Sequence, residues 1–238
     1  LLKAVMEPGA PGIITVIMTT NPFLPEPLPP GPFPIFSEWY NTAHSEKVQP
    51  NPNTMVLATV AADGSPDARV VLCKHMVSDP GYVVFFTNYQ SHKGQQLIAR
   101  PHATAVFHWD ALHRQSRMTG RVIKSPSAES DAYFNLRPIG NRIGAWASHQ
   151  SQPLASRAQL TQQVAEIEKR FGVTSNDVSG SIPRPPHWGG FRLWPESVEL
   201  WIEAPGRVHD RAIWTRKLTP RDEFTFDCGA WTGTRLNP

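Results

Sequence analysis

Met55-Val-Leu-Ala-Thr-Val60, Asp63-Gly64 and Ala68-Arg-Val-Val-Leu-Cys-Lys74 form the stretch on which the fold turns. Two apolar, β-branched runs flank an Asp-Gly pair, a dipeptide that tight hairpins favour because their central positions need positive φ. The pattern predicts two antiparallel strands. Downstream, Asp79-Pro-Gly81 turns the chain into a strand over residues 82–87, and residues 103–109 and 115–123 have the same character. Closing strands are expected at 191–194, 197–202, 208–215 and 223–226.

Helices are inserted among these strands. Residues 35–45 carry apolar side chains at helical spacing. Ser91 suits the N-cap of a helix running to about residue 100, where Pro101 stops it. Ser125 as cap and Pro126 in the first turn open another, through about Leu136. A short helix is expected at 143–147. The clearest spans 155–171, with Leu160, Val164, Ile167 and Phe171 on one face. There is no βαβ repeat, no Gly-x-Gly-x-x-Gly and no Walker loop. The order therefore predicts a mainly β fold with peripheral helices (α+β), an antiparallel barrel rather than a parallel nucleotide-binding sheet. Residues 1–34 are dense in proline and read as an arm on the surface or loose in solvent, and 35–238 as the one domain.

The 238 residues are 40% hydrophobic and 18% charged, the balance of a globular protein. A formal net charge of +3, with arginines set in motifs rather than runs, argues against a nucleic-acid partner. Cys73 and Cys228 cannot build a disulfide framework, and neither has a neighbour at metal-ligand spacing. No metal is expected, and a reducing, cytoplasmic setting fits. No apolar run reaches the roughly 18–20 residues of a membrane helix, so no membrane partner is expected.

The polar constellations are concentrated. Arg137-Pro-Ile-Gly-Asn-Arg-Ile-Gly-Ala-Trp-Ala-Ser-His-Gln-Ser151 crowds donors around a single Ala-Trp-Ala step, more than a core-filling segment needs. Arg69 and Lys74 share one predicted strand, and alternation puts them on opposite faces unless a bulge or the strand end intervenes. Solvated strand charges are one reading; a bound anion is the other, since cations in so apolar a run need a counter-charge. Ser91-His92-Lys93 at a helix start offers a hydroxyl, backbone donors and an ammonium, apt for phosphate, or simply a cap with a solvated lysine. Tyr133 and Arg137 are four apart and can share a helix face. A salt bridge from Arg137 to Glu129 or Asp131 is the plain alternative. Arg207, His209 and Arg211 alternate, so a strand would project all three to one side. Gln115, Gln150 and Ser151 could serve an amide-like ring edge or be ordinary surface groups. Trp201, an aromatic in a strand, is ordinarily core.

With Arg114-Gln115 and the closing Arg235-Leu-Asn-Pro238, this ordered set resembles the pyridoxamine (pyridoxine) 5′-phosphate oxidases, FMN enzymes that make pyridoxal phosphate, over about residues 36–238. The resemblance implies a split β-barrel of the FMN-binding type and a homodimer with both subunits lining each site. It assigns the FMN phosphate to Arg69, Ser91, His92 and Lys93, and the rest of the flavin to Phe86, Thr87, Gln115, Gln150, Ser151, Trp201 and Arg211, with Lys74 shared with substrate. The substrate phosphate falls to Lys74, Tyr133, Arg137 and Asn141, while Arg207 and His209 lie over the substrate as the catalytic pair. At His92 the family usually has arginine, and at Asn141 often serine. The implied reaction is oxidation of pyridoxamine or pyridoxine 5′-phosphate by dioxygen, giving pyridoxal 5′-phosphate and hydrogen peroxide. Alternatives are a flavin oxidase acting on another planar substrate, as in phenazine biosynthesis, and a non-catalytic flavin- or pyridoxal-phosphate-binding barrel.

Overall fold

The computed structural model describes residues 23–238, so the first part of the proline-rich arm lies outside the described residues. The predicted hairpin is present: β1 (Thr54–Val60) pairs antiparallel with β2 (Pro66–Leu72), with Leu57 opposite Arg69. After it come β3 (His75–Val77), β4 (Tyr82–Asn88), β5 (His102–Trp109) and β6 (Arg114–Lys124). A long β7 (Trp188–Ile202), β8 (Asp210–Thr215), β9 (Leu218–Pro220), β10 (Phe226–Cys228) and β11 (Thr232–Leu236) complete the strands. The main sheet runs β11-β8-β7-β6-β5-β1-β2, with β3 and β4 branching from β7, and every pairing is antiparallel.

The branch explains why the sheet curls into a half-barrel. The first half of β7, Trp188 to Leu193, pairs with β4, and Ser197 to Ile202 pairs with β8. Between them Pro195 and Glu196 form a bulge opposite Thr119 and Gly120. Residues 191–194 and 197–202, expected as two strands, are thus one. Proline lacks the ladder donor, and a bulge is where a continuous strand tolerates it. Gly120 is needed there, because a Cβ on it would collide with the Trp194 carbonyl oxygen.

One sheet face is apolar and closed by α1 (Phe33–Ser45), whose Phe36, Trp39 and Ala43 are buried against the barrel. Phe36 packs edge-on to Phe107 at 5.1 Å, in the same core as Met55, Leu57 and Leu200. Each such side chain removed from water stabilises the fold by about 2 kcal/mol. Residues 23–32 are anchored rather than loose. Leu24 is buried, its N–H donates to Asp210 Oδ2 (2.6 Å), and the Pro29 carbonyl accepts from Trp214 Nε1 (3.0 Å).

The helices between strands are α2 (His92–Ala99), α3 (Ser127–Asn135), α4 (Ile139–Ala147) and α5 (Arg157–Phe171). Ser91 caps α2 as expected, accepting from Gly94 N. At α3 the N-cap is Pro126, not Ser125, whose buried hydroxyl has no partner among the described residues. The helix expected at 143–147 begins earlier, at Ile139, right after Pro138. Val164, Ile167 and Phe171 of α5 pack with Ile139, Ile143 and Ile182 into a small second core. Residues 223–225 are turn rather than strand, since Asp222 accepts from Phe224 N and Thr225 Oγ1. The closing strand is β11, paired with β8. Among the described residues no helix is long and apolar enough to cross a membrane, and no His, Cys, Asp and Glu group could hold a metal.

Candidate active site

A cavity of about 520 Å³ opens between the end of β2, β4, the start of α2, and the α3–α4 turn. Its lining includes Lys74, Phe86, Thr87, Lys93, Tyr133, Arg137, Asn141, Gln150 and Trp188, and among the described residues no carboxylate. Three cations therefore face one hollow without a counter-charge in its wall. Buried or half-buried cations are ordinarily paired, so the wall is suited to an anion.

Local sequence explains how they meet. β2 ends at Leu72, so Lys74 escapes strand alternation and turns into the cavity while Arg69 stays on the strand. Lys93 lies in the first turn of α2 and donates to Thr87 Oγ1 (3.2 Å), Ser91 Oγ (3.2 Å) and Gln150 Oε1 (3.0 Å), all neutral. Burial, and then the Arg69 charge, holds its pKa below the ordinary lysine value. Pro138 ends the α3 path, leaving Arg137 in the turn between helices. Its guanidinium lies over the Trp188 ring (4.6 Å), and its Nη1 is buried with no hydrogen-bond partner among the described residues. Burial lowers its pKa as well. The plain alternative fails on geometry: Glu129 accepts from Arg192 (2.9 Å) and Asp131 from Arg184 (2.6 Å). Asn141, in the first turn of α4, completes this wall.

Other expected residues lie elsewhere. Arg69 is spent on Asp67, Thr59 Oγ1 (2.6 Å), Leu57 O (3.1 Å) and Gln96 Oε1 (3.2 Å), beside the cavity rather than on its wall. Ser91 is fully buried and its hydroxyl donates to Asn88 O (2.7 Å), while His92 is exposed. Neither lines the cavity. Ser151 follows Gln150 in a left-handed turn (φ 71°).

A second group forms a strip on the sheet. Gln115 stands opposite Trp201, and Trp201 opposite Arg211. Arg211 donates to Glu199 (3.0 and 2.7 Å), and His209 packs on Trp201 (4.6 Å) while its Nδ1 accepts from Ala204 N (3.2 Å). The expectation that Arg207, His209 and Arg211 share one strand face is corrected. Arg207 closes a 3-10 turn, Pro205–Arg207, with φ 62°, and β8 starts only at Asp210. Pro205-Gly206 was the turn signal that could have shown it. None of the strip residues lines the cavity.

Trp188 and Asn88 are cavity residues that the sequence did not single out. For Trp188 the available signal was an aromatic directly before Gly189-Gly190. A Cβ on Gly190 would sit 2.9 Å from Phe86, so the close packing of β7 on Phe86 requires glycine there.

A larger cleft, about 1040 Å³, lies between the β9–β10 hairpin and the start of α1. Its charges are largely satisfied in place. Arg216 donates to the carbonyls of Pro195, Pro80 and Gly81, and Arg192 to Glu129 and Phe224 O. That cleft lacks the unpaired cations of the smaller one.

Comparison with known proteins identifies the family of the chain. Residues 42–171 match the profile of the family described as pyridoxamine 5′-phosphate oxidase, and residues 188–238 the pyridoxine 5′-phosphate oxidase C-terminal dimerisation region. The chain is 47% identical over 207 residues to a pyridoxine/pyridoxamine 5′-phosphate oxidase of Paraburkholderia phytofirmans, covering 87% of this chain and 89% of that protein. A protein of the same description from Burkholderia orbicola is 47% identical over 209 residues, covering 88% and 90%. Among solved structures, PhzG from Burkholderia lata 383, in complex with tetrahydrophenazine-1-carboxylic acid, superposes with a TM-score of 0.74 at 28% identity, over 88% of this chain and 94% of that one. A pyridoxamine 5′-phosphate oxidase-related, FMN binding protein from Nostoc punctiforme shares the fold (TM-score 0.63, 18% identity, covering 86% and 98%). The split barrel expected from the sequence is the observed fold.

Proposed function

Because the chain belongs to the pyridoxamine 5′-phosphate oxidase family, we propose that it oxidises pyridoxamine or pyridoxine 5′-phosphate to pyridoxal 5′-phosphate, with FMN as cofactor and dioxygen as acceptor. The observation that carries this reading is the cavity wall with Lys74, Lys93 and Arg137 and, among the described residues, no carboxylate. Two phosphoryl tails, one on the cofactor and one on the substrate, would supply the missing negative charge.

The residues present fit FMN. Lys93, with Thr87 and Gln150 around it, makes an ammonium whose present partners are all neutral, suited to the flavin phosphate. Arg69 adds its field from behind, while Ser91 holds the start of α2 in place. Gln115, Trp201 and Arg211 would hold the flavin from a second copy of the chain, and Trp201 and Arg211 fall within the segment matched as a dimerisation region. Bound there, FMN would supply the acceptor for a hydride equivalent and return the electrons to dioxygen, giving hydrogen peroxide.

On the substrate side, Arg137, Lys74, Tyr133 and Asn141 would bind the phosphate. Anchoring that end converts an encounter into an oriented, nearly unimolecular step. Arg207 would orient and polarise the reacting substituent. His209, with Nδ1 taken by Ala204 N–H, has Nε2 left for substrate contact or proton handling.

The likeness to PhzG favours a second reading, a flavin oxidase acting on a planar phenazine precursor. A tricycle with a single carboxylate would leave one of Lys74 and Arg137 unmatched, which makes the phosphorylated vitamer the better fit. The test is steady-state turnover of purified protein with pyridoxamine 5′-phosphate, pyridoxine 5′-phosphate and tetrahydrophenazine-1-carboxylic acid. Oxygen uptake with the first two, matched by pyridoxal 5′-phosphate and peroxide, is expected. Turnover of the third alone would replace this reading with the second.

A further inference from the structure

We propose that Trp188 is the positioning residue of the anion-binding end, fixing the Arg137 guanidinium where a phosphate meets it. The proposal rests on the assignment of Arg137 to the substrate phosphate. Trp188 opens β7 and is 7% exposed, with its ring on the cavity wall. Arg137 Cζ lies 4.6 Å over that ring and 5.7 Å over Phe134. An indole has the strongest negative face among the aromatic side chains, so a cation over it is held without neutralising its charge. A carboxylate in the same place would hold the arginine and also cancel it.

The surroundings keep the arrangement intact. Arg184 donates to both Asp131 (2.6 Å) and the Trp188 carbonyl (2.6 Å). One residue thus occupies a carboxylate of α3 and also pins the tryptophan backbone. The Trp188 ring is nearly parallel to Phe86 (5.6 Å, 11°) and to Tyr133 (6.2 Å, 10°), and Lys74 Nζ stands 5.9 Å over Tyr133. Both cations assigned to the substrate phosphate are therefore carried on one packed set of rings. The unpartnered Arg137 Nη1 is what remains to be satisfied by the ligand.

If Trp188 only filled space, an aromatic and a non-aromatic side chain of similar bulk, such as phenylalanine and methionine, would serve equally well. W188F and W188M separate the two roles. On FMN-loaded protein, kcat and KM for pyridoxamine 5′-phosphate, inorganic phosphate affinity by calorimetry, and the thermal midpoint are measured together. W188M is expected to raise KM and weaken phosphate binding roughly ten- to thirtyfold, the value of a desolvated cation–π contact. Its kcat should stay within about twofold, because the loss falls on binding rather than chemistry. W188F should recover most of the affinity. Equal phosphate affinity in wild type and W188M, or equal weakening in W188M and W188F, would overturn the proposal, as would a fall in kcat at constant KM. Should wild type fail to oxidise pyridoxamine 5′-phosphate, the proposed function falls, while the phosphate titration still decides the role of Trp188.

Discussion

Trp201 stands directly opposite Arg211 across β7 and β8, yet neither reaches the cavity that holds Lys74, Lys93 and Arg137. One chain thus carries two separate groups of ligand-type residues. A two-fold dimer can bring the strip of one copy to the cavity of the other, because an isologous interface applies the same exchange twice. Assayed at substrate well below KM, R137A and R211A should each be nearly inactive as pure dimers. A hybrid of the two has one site free of both changes, so the purified hybrid is expected to recover about half of wild-type activity per dimer. No recovery in purified hybrid would place both groups in the same subunit's site.

Lys93 predicts a pH dependence. Its pKa is lowered by burial and by Arg69. An anion binds the ammonium form, so FMN affinity is expected to fall as pH rises through this lowered value, earlier than an ordinary lysine would lose its charge. Fluorescence titration of FMN across alkaline pH measures it. K93R, which keeps its charge throughout, should remove the fall; an identical profile in K93R would show that another group is responsible.

Arg137 sets function against stability. Its buried, unpartnered Nη1 and lowered pKa mark a desolvation cost in the ligand-free protein. R137M should stabilise that form by about 1 kcal/mol, a rise in thermal midpoint of roughly 2–4 °C. KM for the phosphorylated substrate should rise at least roughly tenfold, the worth of one charge-assisted contact. A drop in thermal midpoint would mean that the guanidinium stabilises the empty fold.

Glu199, 5% exposed, accepts from Arg211 twice and from Arg117. Removing it leaves two arginines facing each other on adjacent parts of the strip. E199A is expected to cost about 2 kcal/mol in urea unfolding, less than a fully buried pair would because Arg117 is half exposed. An unchanged midpoint would show that water already screens the pair.

The parts of the fold legible in the sequence were those set by local chemistry. Asp63-Gly64 specified the β1–β2 hairpin, Ser91 the cap of α2, and the apolar stripe from Val164 to Phe171 the packing face of α5. What was not legible depended on partners far away in the chain. Pro195 hid the continuity of β7, because only the pairing with Gly120 shows that a bulge absorbs it. Arg207 was misplaced by alternation, which assumes a strand that Pro205-Gly206 interrupts. The cavity cations were named from motif and resemblance, but their lack of carboxylates is a three-dimensional fact, since Glu129 and Asp131 sit on α3 close in sequence to Arg137. Trp188 was missed because its role lies in a contact across 51 residues, and no local pattern announces that.

Anaerobic mixing of the FMN-loaded protein with pyridoxamine 5′-phosphate, followed by flavin absorbance in a stopped-flow instrument, tests the central claim most directly. The account predicts bleaching of the oxidised flavin by the phosphorylated amine, much slower bleaching by unphosphorylated pyridoxamine, and return of the colour when oxygen is admitted. Flavin that stays oxidised with the phosphorylated amine, or bleaches equally fast without the phosphate, would contradict it.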